Sequence, residues 1–221
     1  MNYFSYLFDG FNYDMTDPGS IPRLLLQHLA IVGISMAISI VIAIPLGILI
    51  SRYKVFQTPV ITLTGILYTL PAMALLGILV SVTGLNMPTI IIPLILYAQL
   101  VLVRNTAAGI SAVDPLLIEV GKAMGMNRWQ LLTRVTLPLA LPIIVAGIRV
   151  AMVTTIGIAS LSTLVGVSSL GDLIFLGLEN LQDNQVVAGA ILISLLAVIA
   201  DLLLLGVQVA LNRGRSAIAV A

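Results

Sequence analysis

Five long apolar stretches decide what this chain can become: residues 24–50, 59–82, 87–103, 139–165 and 186–211. A helix needs about 20 mostly apolar residues to cross the hydrocarbon of a bilayer. Inside that layer no water is at hand to satisfy backbone amides and carbonyls, so such stretches must become helices. The third is short and carries Pro88 and Pro93, which membrane helices accept where neighbours satisfy the freed carbonyls. An all-α, polytopic membrane protein with about five spans is therefore expected. Composition agrees, since only 9% of residues are charged against about 25% in a soluble domain. A water-facing surface cannot be made from that supply.

Placement of the basic residues sets the expected orientation, because cytoplasmic loops retain Lys and Arg close to the ends of spans. With the N-terminus outside, the inner side receives Arg52, Lys54, Arg104, Lys122, Arg128, Arg134, Arg213 and Arg215. The outer side receives Arg23 alone, together with Asp9, Asp14, Asp17, Asp172, Glu179 and Asp183. The expected layout is N-out and C-in. It comprises an external tail (1–23), a transmembrane domain (24–211) and a cytoplasmic tail (212–221). The N-terminal stretch lacks a basic region and does not read as a signal peptide. A net charge of +1 gives no pointer to nucleic acid, and the absence of cysteine excludes disulfides and thiolate metal sites.

Two connections exceed a turn, 104–138 inside and 166–185 outside. The outer one holds three acids that are costly in hydrocarbon, so a helix at the mouth of the bundle is expected in preference to a sixth span. The inner one is the more informative. In DPLLIEVGKAMG (114–125), Asp114 can cap a helix, Pro115 suits its first position and Gly125 its stop. Leu116, Val120 and Met124 share one face, flanked by Glu119 and Lys122. Asn127, with Gln130 three residues on, opens a second helix in a loose capping box. The loop therefore reads as helix, glycine turn, and helix running into the membrane at Leu137-Pro138.

Glu119-Val120-Gly121, three residues (Lys122, Ala123, Met124), Gly125, nine residues and Val135-Thr136-Leu137-Pro138 resemble the EAA loop of binding-protein-dependent ABC importer permeases. The family pattern is EAA, three residues, G, nine residues, I, any residue, LP. Val-Gly replaces Ala-Ala here and Val135 replaces Ile, all small or apolar exchanges. The stretch 104–178 is also similar to permeases for osmoprotectant quaternary amines such as glycine betaine, carnitine and choline, with importers of methionine or another amino acid as the related alternative. The resemblance implies a MetI-like fold in the bacterial inner membrane, a second permease subunit, two cytoplasmic ATPase subunits and an external substrate-binding protein. It also implies that the helix 115–124 docks on the ATPase, with Glu119 and the Gly125 turn docking and shaping it.

No phosphate-binding GxxxxGK[ST] loop occurs in the sequence, so ATP and its Mg are expected on a partner chain and no cofactor or metal on this one. A quaternary amine is normally held in an aromatic cage, yet the spans offer only Tyr68 and Tyr97, and the sole tryptophan, Trp129, lies in the inner loop. Selection is therefore expected in the external binding protein, with the two tyrosines as candidate path-lining residues or packing. Gly65, Gly77, Gly147 and Gly157 are candidates for close helix contacts. A secondary transporter or channel would be expected to show repeated halves or a relay of buried acids. A membrane hydrolase would need HExxH, GxSxG or paired aspartates. None is present, and the lone His28, near the outer end of the first span, is expected to be satisfied or interfacial. Arg149 and Asp201 fall at matching depths in the last two spans, so they are expected either to pair or to be separately hydrated.

Overall fold

The computed structural model describes residues 4–218; the final three residues of the expected tail lie outside the described residues. The chain forms α1 (Ser5–Phe8), α2 (Ile21–Arg52), α3 (Gln57–Thr69), α4 (Ala72–Thr83), α5 (Met87–Ser111), α6 (Pro115–Ala123), α7 (Arg128–Leu131), α8 (Leu137–Ala159), α9 (Gly171–Glu179) and α10 (Asp183–Ile218). No strand occurs among the described residues. Four helical runs are long and apolar enough to cross a bilayer singly: α2, α5, the run Arg128–Val165 through α7 and α8, and α10 over Asp183–Asn212.

The second expected span is broken. α3 and α4 meet at 91° around Leu70 and Pro71, both with extended backbone. Pro71 lacks an N–H, its ring crowds the carbonyl four residues back, and it drives the preceding residue out of the helical region. The carbonyl of Leu70, free of any helix bond at the break, accepts a hydrogen bond from Tyr97 Oη at 2.9 Å. α3 and α4 have 13 and 12 residues. At 1.5 Å per residue they reach roughly 20 and 18 Å, short of a ~30 Å hydrocarbon layer. Only together do they supply the fifth span.

The other boundaries move outward. α5 continues past the expected end at 103 to Ser111, because Arg104 and Asn105 look like loop residues in sequence while Thr106, Ala107 and Gly109 are buried between α2 and α8. A Cβ on Gly47 would run into Thr106, and one on Gly147 into Asn105; one on Gly109 would lie 3.0 Å from the Ala140 carbonyl. Of the four glycines singled out in sequence, Gly147 makes such a contact, whereas Gly65, Gly77 and Gly157 face open space. α10 begins at Asp183 and stays helical to Ile218, so residues 212–218 extend the last helix where a tail is expected.

α5 is the centre of the bundle, packed by α2 and α8, with α3 and α4 beside it and α10 lying on α8 and α9. Ile31, Ile50, Ile90, Leu94, Val103 and Ile156 form its fully covered apolar core. At one end α9 lies over the start of α2 through Leu170 and Leu173 against Ile21 and Leu24. With nine residues, about 14 Å at helical rise, α9 is too short to be a sixth span. The opposite end carries α6 and α7, where Arg52, Lys122 and Arg128 share one hollow and Lys54 and Arg104 another.

Candidate functional site

Local chemistry shapes the α6–α7 hairpin residue by residue. Asp114 accepts a hydrogen bond from the Leu116 amide at 2.8 Å, and Pro115 takes the first helical position, where an N–H would have no partner. At the other end Gly125 adopts φ +77°. Its amide donates to the Lys122 carbonyl at 2.9 Å, and the Met126 amide to Gly121 at 3.1 Å. Those paired bonds are a Schellman stop, which needs a left-handed residue and so favours glycine. Ala123 ends the helix and Met124 caps it. Asn127 and Gln130 then exchange side-chain to backbone bonds of 2.9 Å each, closing a full capping box around α7.

Gly121 is buried, and a Cβ there would meet Leu131 Cδ1 at 2.7 Å. The glycine that replaces the family alanine thus sits where α7 presses against α6. Beyond α7 the chain forms a π turn, Leu132–Thr136, before α8. Pro138 explains its position, since the proline has no N–H for the carbonyl of Arg134 and its ring crowds that carbonyl, so the turn widens to five-residue bonding. Sequence reading places Leu137-Pro138 at the membrane entry without foreseeing the π turn, although a proline in a helix that does not stop is its signal.

The hairpin presents an apolar surface. Leu116, Val120 and Met124 are exposed, Met124 to 72%, and Trp129 on α7 is 70% exposed, with Glu119 and Lys122 exposed on the flanks. Beneath it a cavity of about 400 Å³ opens among Arg52, Ile118, Lys122, Arg128, Leu131 and Thr136.

Within the spans, Arg149 Nε lies 2.9 Å from Asp201 Oδ1 and Nη2 lies 2.8 Å from Oδ2. This is the two-point geometry that guanidinium and carboxylate favour. Nη1 also donates to Gln208 Oε1 at 2.7 Å. Gln208 follows Asp201 by seven residues, two helical turns along the same face, so spacing alone could have nominated it. Tyr97 is buried and stacks edge-on with Tyr68, the centroids 6.2 Å apart; Tyr97 secures the α3–α4 break, while Tyr68 remains partly exposed. His28 is fully buried, not interfacial, and its Nε2 donates to the Ile156 carbonyl at 3.1 Å. That carbonyl is available because the helix tightens at Ser160, whose amide turns to Gly157 and Ile158.

The sequence profile described as "Binding-protein-dependent transport system inner membrane component" matches residues 20–216. The chain belongs to this family. Among curated members, the carnitine transport permease protein OpuCD of Listeria monocytogenes is 39% identical over 91% of both chains. The glycine betaine/carnitine/choline transport system permease protein OpuCD of Bacillus subtilis is 40% identical over 87% of this chain and 84% of that one. The osmoprotectant import permease protein OsmW of Salmonella typhimurium is 36% identical over 92% and 97%. Among solved structures, an inward-facing MetNI methionine ABC transporter superposes with a TM-score of 0.76 at 22% identity, over 86% of this chain and 95% of that one. A bacterial alginate ABC transporter superposes at 0.67 and 20% identity, over 92% and 83%. The fold of this binding-protein-dependent permease is accordingly the MetI-like one. The chain is the multi-pass, cytoplasmic-membrane permease subunit of an ABC importer.

Proposed function

We propose that this permease passes a quaternary-amine osmoprotectant of the glycine betaine, carnitine or choline type, received from an external binding protein and driven by two ATPase subunits that hold the α6–α7 hairpin. The observation that carries the coupling half is the hairpin itself: a rigidly capped helix pair with Leu116, Val120, Met124 and Trp129 uncovered, at the end of the bundle where basic residues gather. An apolar face on the aqueous side of a membrane needs a protein partner. The same gathering of Lys and Arg supports that end as cytoplasmic, hence N-out and C-in. Pro115, Glu119, Val120, Gly121, Lys122, Ala123, Met124, Gly125, Leu137 and Pro138 are the coupling residues in this reading.

The solute class is supported by the relatives, each named for carnitine, choline, glycine betaine or osmoprotectant transport. A second permease subunit completes the pathway, because five spans enclose little space and no residue in the apolar window of α10 is buried within one chain. The test is uptake of labelled glycine betaine, carnitine, choline and methionine by cells lacking other osmoprotectant importers and supplied with this permease, its ATPase and its binding protein. Uptake of methionine alone would overturn the solute assignment. Mass measurement of the intact complex should give two permease chains to two ATPase chains, and a single permease chain would refute the pairing.

A further inference from the structure

Arg149 stands near the middle of the 23-residue α8. Asp201, 18 residues beyond the start of α10 at Asp183, lies about 27 Å along its helix. Their side chains are nevertheless 21% and 34% exposed on the surface of the subunit, beside a groove of about 490 Å³ formed with Ala146, Val150, Val153 and Thr154. Charged groups open to hydrocarbon within a span are costly, and in membrane proteins they face a bundle interior or a water-filled cavity. This face of α8 and α10 therefore looks onto the pathway or the partner subunit, away from lipid.

We infer that the groove is a passage station for zwitterionic solutes, in which Arg149 meets a carboxylate and Asp201 a quaternary ammonium; the inference rests on the transport reading above. A guanidinium has five N–H donors and a carboxylate about four lone-pair sites. The pair and Gln208 engage three of those donors and two of those lone pairs. Both members keep bonding capacity for a ligand of opposite polarity without separating. A quaternary ammonium has no N–H to donate, so it takes only the field of Asp201 and apolar contact with Ala146, Val150 and Val153, which line the same groove. The volume falls in the roughly 300–1,000 Å³ range of small-molecule sites. No aromatic ring lines it, so the cation is held without a cage, as a site on a path requires when binding must be weak enough to release.

The chain contains no cysteine, so Val150→Cys supplies a single thiol on the groove wall. In proteoliposomes holding the assembled permease and ATPase, that thiol should react with a membrane-impermeant cationic thiosulfonate. Excess glycine betaine should slow the reaction, and equal osmolarity of sucrose should not. Reaction with a lipid-soluble maleimide alone, or a rate indifferent to glycine betaine, would overturn the station. In parallel, Arg149→Gln with Asp201→Asn, checked for assembly by thermal unfolding, should lower uptake of the carboxylate-bearing glycine betaine and carnitine roughly tenfold relative to choline, the loss of a charge-assisted contact. Equal losses for all three would mean that the pair only clamps α8 to α10, or seats a second copy of the chain. A wild-type complex that takes up none of the three would overturn the solute reading, and the station with it.

Discussion

Gly125 offers the cleanest separation of backbone geometry from packing. Its φ of +77° lies in the left-handed region, and a Cβ built there would meet nothing within 4 Å. Any penalty for a larger residue is therefore the cost of the dihedral itself, roughly 1–2 kcal/mol for an L-residue with a Cβ. At 298 K, about 1.4 kcal/mol is a tenfold change in an equilibrium constant, so Gly125→Ala should lower the equilibrium constant for closing the Schellman stop about tenfold. Val should be worse because β-branching adds to the strain, whereas Asn, which tolerates the left-handed region, should be mild. ATP-driven uptake in proteoliposomes is expected to fall in the order Gly, Asn, Ala, Val. The midpoint of thermal unfolding should stay put, because the turn lies outside the core centred on Ile90 and Leu94. Normal uptake by the Val variant, or an Asn variant as poor as Val, would refute the reasoning.

Glu119→Lys on the exposed flank of α6 is expected to abolish uptake with insertion and permease thermal stability unchanged, measured as transport and as loss of ATPase co-purification. Gly147→Val should destabilise the complex by about 1–3 kcal/mol through overpacking against Asn105, while Gly157→Ala, into open space, should be neutral or stabilising by up to about 1 kcal/mol through helix propensity. Arg149→Ala and Asp201→Ala should each lower the unfolding midpoint more than paired replacement by apolar residues does, since each single change strands a charge. Additive effects in that cycle would show that the two residues do not support each other.

The spans were legible because hydrocarbon imposes a length and a backbone rule that a sequence cannot evade. The α6–α7 hairpin was legible because caps are local: Asp114, Pro115, Gly125, Asn127 and Gln130 each act within three to five residues of themselves. Apart from the π turn before Pro138, what escaped reading depends on partners distant in sequence. Leu70-Pro71 breaks a span although Pro88, Pro93 and Pro142 lie within or at the start of unbroken helices, and the difference includes Tyr97, which waits across the bundle for the freed carbonyl. The stretch from Arg104 to Thr106 looked like a loop because the glycines that admit Asn105 and Thr106, Gly147 and Gly47, stand on other helices. Gly65, Gly77 and Gly157 could not be told from Gly147 by composition, since only the neighbouring helix decides which glycine is crowded.

Those glycine contacts also bear on how a push on the hairpin travels. α6 is seated on α7 through Gly121 and Leu131, and α7 runs through the π turn into α8 without a loop. Displacement of the hairpin therefore acts on α8 directly. α8 is not free to slide alone, because Gly147 and Gly109 interlock it with α5, and Gly47 locks α5 to α2 near the same end. At its middle the Arg149–Asp201 pair ties it to α10. Close-packed contacts of this kind resist gradual deformation and favour movement between discrete arrangements. The helices should then rock as one body, with the π turn the place where rotation between hairpin and bundle is absorbed. The α3–α4 pair stands apart from this body, attached to it mainly through α5 and through the Tyr97 hydroxyl at its break, which makes it the element best placed to change its angle as the bundle rocks.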